Sequence, residues 1–594
     1  MTESADLLNG HLPPASDQPA RDRILSDLDT NMLVEAGAGS GKTTSLVGRM
    51  HALVARGEPV EHIAAVTFTR KAASELKERF QLKLEAELRN GDAHSDARRY
   101  CDRALRDLDR AFLGTIHAFC ARILREHPLE LGLDPSFSEL SEEDWAELTR
   151  SFWSRWLERC KRSDDGALDE LSALGIDARQ LFDGFGKMMQ FQDVEFPLQE
   201  TGKPDNAPCR KQLEALLARA RNLMPRDEPP DGWDSLMSLI KRLEYLRRAA
   251  DWNRLEMFCA AVELINKSGC AIVQKRWSSD VEVRQSAKNL CTDFLALFNG
   301  EIKALLTCWR EHRYPAVMRF LKRAANAFER ERHETGMLGF KDLLLLSARL
   351  LRERPRVRDA LGQRYRRLLV DEFQDTDPLQ AEVCFLLASE SSEGNDWRRV
   401  RPRAGGIFLV GDPKQSIYRF RRADIQIYEL AKSRLTECGT VLALTRNFRS
   451  APPVGEFVNR YFGAIFPESA SDVQAAFTPM QCVNQLTHSD GVSEYWVRPP
   501  KANKTAIIDT DSAQVASWIA ERLATGRYAA GDFLVLTGNR HPVGAYARAL
   551  AERNVSVITT GAKLPQEIEL TELLVILKAI ADPDNPVAVV AALE

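Results

Sequence analysis

Between Met32 and Phe80 short apolar runs alternate with stretches of helical period: NMLVEA, a helix opening at Lys42, HIAAVTFT, then RKAASELKERFQLKLEAELRNG. Strands buried on both faces read as continuous apolar runs, and parallel strands need helical crossovers, so this rhythm predicts βαβα in a parallel sheet. A further strand and helix are predicted in FLGTIHAFCARILREH. From about Pro128 to Gly336 the pattern changes to long charged helical stretches interspersed with Trp145, Trp153, Trp156, Trp233, Trp252 and Trp277. That predicts an all-helical block, with DEPPDG at 227–232 as a turn between its halves. Strand runs resume in RRLLVDEF, GIFLVGD and TVLALTRNF, so the helical block interrupts a single sheet. Beyond Arg449 come a helical EFVNRYFGAIF, a loop-rich region over 467–505 and a helix near 511–524. A second series follows, with strands in FLVLTGNR and VSVITTG and helices in AYARALAERN and ELTELLVILKAIAD, and predicts part of a second α/β domain.

At 594 residues the chain exceeds one ordinary core, so several domains are expected. Hydrophobic residues at 44% and charged residues at 28% fit a soluble globular protein and argue against bulk disorder. No window approaches the length of an uncharged apolar span, so no membrane contact is expected. The first thirty residues lack a basic segment followed by an apolar one, which points to a cytoplasmic protein. Cysteines such as Cys101, Cys120, Cys160, Cys291 and Cys482 are scattered singly and read as free thiols in a reducing compartment. The net charge of −4 carries no global signature of nucleic-acid binding, but RERPRVRD (352–359), RYRR (364–367), RRVRPR (398–403) and RFRR (419–422) gather basic charge in one third of the chain. Such runs flanking the same chemical motifs suggest a groove for a polyanion.

AGAGSGKT, spanning Ala36, Gly37, Ala38, Gly39, Ser40, Gly41, Lys42 and Thr43, follows a strand and opens a helix. Glycines let successive N–H groups turn toward a phosphate chain, a helix N-terminus adds positive potential, Lys42 can reach the β- and γ-phosphates, and Thr43 can ligate Mg²⁺. Ala36 stands where the general pattern has its first glycine. A phosphate loop needs a carboxylate on a neighbouring strand end, and LLVDEFQDTD supplies Asp371 for Mg²⁺ and Glu372 to orient or deprotonate an attacking water. Nucleoside triphosphate hydrolysis is the first functional expectation.

Several motifs taken in order resemble the UvrD/RecB/AddA helicases of superfamily 1: DQPARDRI (17–24), AGAGSGKTT (36–44), AVTFTRKAASELKERF (65–80), GTIHAFC (114–120), GFKDLL (339–344), VDEFQDTDPLQ (370–380), VGDPKQSIYRFRRADI (410–425) and LTRNFRS (444–450). TIHAFC and DEFQDTDP look closer to the RecB/AddA branch than to UvrD itself. The resemblance implies an α/β fold: a RecA-like P-loop domain in two parts (1–128 and 337–446), a helical insertion (129–336) and an incomplete second RecA-like domain (447–594). It implies that Gln18 reads adenine, that Lys42, Thr43, Asp371 and Glu372 hold phosphate, metal and water, and that Gln415 senses the γ-phosphate. Arg449 would approach that phosphate from the second domain, with Phe448 on the adenine where relatives usually carry tyrosine. Thr44 stands where many relatives have an arginine. Phe68, Thr69, Thr115, His117, Tyr418, Phe420 and Arg421 would contact DNA, the rings by stacking on bases and the hydroxyls and arginine on phosphates.

The resulting expectation is a translocase that uses ATP and Mg²⁺ to move 3′ to 5′ on single-stranded DNA and acts at junctions with duplex, in repair or recombination. The chain stops at ADPDNPVAVVAALE, before the second arginine motif and the nuclease block of relatives, so weak or absent unwinding by this polypeptide alone is expected. Three alternatives stay open. One is the helicase part of a RecB/AddA-like helicase–nuclease whose nuclease lies outside this chain, with a second helicase–nuclease subunit as its partner; another is a non-catalytic DNA-binding or assembly module; the third is a P-loop ATPase acting on protein or chromosome structure.

Overall fold

A computed structural model describes residues 17–593 apart from 93, 164–165, 266–270, 472, 485–490, 498–502, 560–567 and 584–585. The chain folds as two compact units, Met1–Ser489 and Asp490–Glu594.

The first eight strands of the first unit are β1 (Met32–Ala36), β2 (Ile63–Thr67), β3 (Phe112–Thr115), β4 (Ser138–Glu139), β5 (Met337–Leu338), β6 (Arg367–Val370), β7 (Ile407–Gly411) and β8 (Thr440–Leu444). Six of them form one parallel sheet in the order β3-β2-β6-β7-β1-β8. Successive side chains of a strand face opposite sides. Thus Val34, Ala65, Leu369 and Val410 pack with Leu46, Met50 and Phe80 on one face, while Leu33, Val66, Leu368 and Leu409 pack with Phe119, Leu343 and Phe385 on the other. The register sets Thr67 beside Thr115, Val370 beside Val66 and Leu409, and Glu35 beside Gly411. The carboxyl ends of the central strands therefore share one edge, where open α/β sheets bind their ligands.

Arg49, buried inside the Lys42–Ala55 helix, fixes what precedes β1. Its guanidinium donates to the carbonyls of Ile24, Asp27, Leu28 and Thr30 and lies 4.8 Å from the Phe408 ring centroid. Burial pushes its pKa down to about 10, so it stays charged at neutral pH.

The helical block leaves the sheet through β4 and returns through β5, which pair in parallel and so join its two ends. It holds two apolar cores, one around Phe152, Trp153, Phe185 and Phe328, the other around Leu217, Leu243, Phe258 and Trp309. The long Lys303–Glu334 helix runs through both, with Leu305, Leu306 and Trp309 in one and Phe320, Leu321 and Phe328 in the other. DEPPDG is a turn, closed by Gly232 N–H on Pro229 O (2.8 Å), but it lies inside one half. It joins the Ala207–Leu223 and Ser235–Ala249 helices, which share a core, and the division falls between Gln190 and Ala207. Local turn chemistry marks a reversal, and only packing shows which cores the flanking helices serve. The block is tied to the Phe340–Glu353 helix, which packs on the sheet, by the fully buried Arg332–Asp342 ion pair, with the guanidinium 4.7 Å from the ring centroids of both Trp145 and Phe328.

After β8 the chain forms β9 (Arg446–Asn447), paired with β10 (Gln481–Cys482), and the Pro452–Gly463 helix between them. In the second unit the Lys504–Ala524 helix starts seven residues before the predicted one and packs on Val543–Ala551 through Ala516, Ile519, Ala549 and Leu550. The Ile568–Ala581 helix coincides with the one predicted in ELTELLVILKAIAD. The two predicted strands are not strands: residues 533–537 and 555–559 carry no ladder, and Leu534, Leu536 and Ile558 are 82%, 83% and 96% exposed. An apolar run becomes a strand only where a neighbouring edge pairs its backbone, and the described residues of this unit offer none. Thr560 and Gly561, the end of the second run, lie outside the described residues.

Candidate functional site

The loop after β1 turns on Gly39 (φ +69°) and Gly41 (φ +90°), left-handed positions that suit glycine. Gly41 caps the Lys42–Ala55 helix with no side chain, which leaves the first-turn N–H groups open to an anion. Ser40 closes the loop through its hydroxyl on Gly37 O (2.8 Å). Phe448 N–H donates to Gly39 O (2.9 Å), and a β-carbon at Gly39 would meet Arg449 Cβ at 2.8 Å. The segment carrying Phe448 and Arg449 thus lies directly on the glycine loop. Asn447, buried, shapes it by accepting from the N–H groups of Arg449 and Ser450 (2.8 Å each). Both Phe448 and Arg449 are exposed.

Lys42 Nζ lies 2.6 Å from Glu372 Oε2. Glu372 follows β6 with φ +52°, a left-handed backbone that costs a side-chain-bearing residue about 1–2 kcal/mol. That turn separates it from Asp371, which accepts Glu372 N–H at 3.0 Å. Burial, then the Glu372 charge, pushes the Asp371 pKa up to about 6 against the pull of Lys42. Asp375 is raised to about 6 for the same reasons, and its Oδ1 is buried with no hydrogen-bond partner among the described residues. Among the described residues no cluster of three or more His, Cys, Asp or Glu is arranged to hold a metal. Thr43 and Asp371 instead fit the way Mg²⁺ is usually held, by one or two protein oxygens with water and substrate phosphates completing the shell.

Gln374, which lies inside VDEFQDTDPLQ but is given no role by the sequence reading, links two strand ends. It is 2% exposed, and its Nε2 donates to Glu372 Oε2 (2.7 Å) while its Oε1 accepts Asp412 N–H (2.9 Å). Beyond β7, Asp412 accepts from Gln415 Nε2 (2.8 Å) and pairs with Lys414 (3.0 Å). Gln415 lines one cavity of about 380 Å³ with Gly37, Ala38, Glu35 and Asp412.

On the opposite flank, Gln18 is occupied by Asp22 (2.7 Å) and Thr44 is exposed. Arg21, which was not predicted, takes the central place. It pairs bidentately with Asp17 (2.9 Å each), donates to Ser40 O (2.9 Å) and lies 5.0 Å from the Phe448 ring centroid. Burial alone would raise the Asp17 pKa, but Arg21 and the N–H groups of Arg446 and Thr445 hold it below the usual range. The signal for this pair was the four-residue spacing of acid and arginine in DQPAR.

Of the aromatic candidates, Phe68 stacks on Tyr418 (centroids 5.4 Å apart, planes at 28°), and Tyr418 meets Phe420 at 5.7 Å. Phe420 is 78% exposed, and the Arg421 guanidinium lies 5.8 and 6.0 Å from the Tyr418 and Phe420 centroids. Thr69 and Thr115 cap the Arg70–Asn90 and Ile116–Glu126 helices through Ala72 and Ala118 N–H groups (3.1 and 3.3 Å). Each hydroxyl keeps its proton to donate. His117 lies edge-on to Phe340 with ring centroids 5.3 Å apart, and its pKa is lowered by burial. Arg422 ends the ring-bearing segment in a bidentate pair with Asp193 of the helical block (2.6 Å each).

A family model for the UvrD/REP helicase N-terminal domain matches residues 17–436. Three curated relatives are the first-lettered (A) subunits of ATP-dependent helicase/nucleases. That of Ligilactobacillus salivarius is 26% identical over 503 residues, covering 77% of this chain and 39% of that protein. That of Natranaerobius thermophilus is 26% identical over 515 residues, covering 76% and 38%. That of Streptococcus pneumoniae is 23% identical over 628 aligned positions, covering 95% and 50%. The matched region thus spans 38% to 50% of the length of these relatives. No helix among the described residues is long and apolar enough to cross a membrane.

Proposed function

The chain belongs to the UvrD/REP helicase N-terminal domain family, and from that premise we propose that it is an ATP-driven motor moving 3′ to 5′ on single-stranded DNA. The observation that carries this reading is the segment after β7. Within seven residues it sets Asp412 and Gln415 beside the glycine loop and Tyr418 against Phe68. A nucleotide pocket and a stacking platform joined by so short a length of chain are suited to coupling hydrolysis to grip.

In this reading the loop from Ala36 to Gly41, with Lys42, cradles the triphosphate. Arg21 and Phe448 present a charged face and a ring face to the base. Glu372 is the group that takes a proton from the attacking water once Lys42 turns to the phosphates. Thr43 and Asp371 would hold Mg²⁺, which neutralises phosphate charge when bound. Arg449 and Gln415 are placed to answer the γ-phosphate, Arg449 by stabilising charge on the transferred oxygens. Residues from 447 onward are read as the start of a second RecA-like domain. Stacking on Phe68, Tyr418 and Phe420 tolerates every base, as movement along any sequence requires.

A second reading, favoured by the names of the relatives, is that this motor is the helicase part of a helicase–nuclease that serves DNA repair or recombination together with a partner chain. Strand separation on duplexes tailed at either end tests the direction. Unwinding only from the 3′ tail supports it, and equal unwinding from both tails overturns it.

A further inference from the structure

Glu372 and the ring-bearing segment lie on different strand ends, and one side chain touches both. Gln374 donates from Nε2 to Glu372 Oε2 (2.7 Å) and accepts Asp412 N–H on Oε1 (2.9 Å), while its backbone carbonyl accepts the Ser416 hydroxyl (3.0 Å). The amide orientation is fixed by this arrangement, because only the carbonyl oxygen can accept the backbone N–H. The approach to the end of β7 is close: a β-carbon at Gly411 would lie 2.7 Å from Gln374 Oε1 and 3.2 Å from its backbone N.

We propose that Gln374 is a positioning residue that transmits the state of Glu372 to the segment Asp412–Tyr418, and so ties the nucleotide site to the DNA platform. The inference rests on the ATP-motor reading given above. Glu372 has two partners here, Lys42 and Gln374. When a triphosphate draws Lys42 away, Glu372 keeps only Gln374 among these two, and a shift of its carboxylate strands a donor that is 2% exposed unless Gln374 follows. Leaving a buried donor unpaired is costly, so the amide moves with the carboxylate. Its other end then carries Asp412 N–H, while the backbone carbonyl of the same residue holds the hydroxyl of Ser416, two residues before the tyrosine stacked on Phe68. Two discrete arrangements of one carboxylate thereby become two of the ring platform.

The test is the affinity of the full chain for fluorescein-labelled oligothymidylate, by anisotropy, with and without adenylyl imidodiphosphate and Mg²⁺. The wild type is expected to change its Kd at least fivefold on adding the nucleotide. Gln374→Ala and Gln374→Met, the second keeping the side-chain volume, are expected to bind the oligonucleotide within threefold of wild type without nucleotide. Both should change less than twofold on adding it. A wild-type response retained in either folded variant overturns the relay and leaves the motor reading standing. Loss of nucleotide-free DNA binding in the Met variant also overturns it, because the role is then structural. A wild type that does not respond to nucleotide overturns the motor reading and the relay with it.

Discussion

Lys42 Nζ and Glu372 Oε2 are in contact at 2.6 Å, so the residue proposed to hold phosphate also masks the residue proposed to accept a proton. In the motor reading, a bound triphosphate would compete for the lysine and free the carboxylate, linking activation of the base to arrival of the substrate. Glu372→Gln removes the base and the ion pair together. ATP turnover should fall at least a hundredfold, while nucleotide affinity stays equal or rises a few-fold because Lys42 no longer has to be withdrawn. Lys42→Ala should lose both turnover and affinity. Single-turnover hydrolysis and equilibrium binding of a fluorescent ATP analogue separate the two patterns.

Tyr418 stands between Phe68 and Phe420, so its loss breaks the platform at its centre. Stacking of a base on one aromatic ring contributes about 1–3 kcal/mol. Tyr418→Ala should therefore weaken single-stranded DNA binding by roughly five- to a hundredfold. Titrations with oligothymidylate and a mixed-sequence oligonucleotide should show the same factor, since stacking reads no sequence.

Gln415 faces Asp412 and the cavity beside the glycine loop, three residues from Tyr418. Gln415→Ala should leave the Kd for single-stranded DNA within twofold of wild type yet reduce the stimulation of ATP turnover by DNA at least tenfold. Equal loss of binding and stimulation would make the segment structural only.

Asp375 is buried beside Glu372, which raises its carboxyl pKa to about 6 from an ordinary value near 4. Between those values the folded state binds more protons than the unfolded one, so stability falls as pH rises through this window and the full penalty is present above about 6. Asp375→Asn should therefore stabilise the chain at pH 7.5 by on the order of 2 kcal/mol, and the gain should vanish near pH 4. Denaturant melts of both proteins in EDTA, without nucleotide, measure this difference directly.

The parallel sheet was legible because its central strands are buried on both faces and run into polar residues, as LLVDEF and GIFLVGD do. The glycine loop was legible because a phosphate cradle constrains backbone conformation, and Gly39 and Gly41 carry that constraint in their identity. Gln374 and Arg422 were not, because their partners Asp412 and Asp193 lie far along the chain, and while spacing signals the pairing of Arg21 with Asp17, nothing local signals its bond to Ser40 O. A polar residue near a motif gives no sign of which distant N–H or carboxylate it will meet. The runs at Phe533 and Val555 failed for the complementary reason, since an apolar pattern states what can pair but not whether an edge is present.

The most direct test of coupling between nucleotide and DNA is ATP turnover by the purified chain with and without single-stranded oligothymidylate, with Glu372→Gln as the control. The expected result is stimulation of at least tenfold in the wild type and none in the control. Turnover that is indifferent to DNA, or that persists in Glu372→Gln, would contradict it.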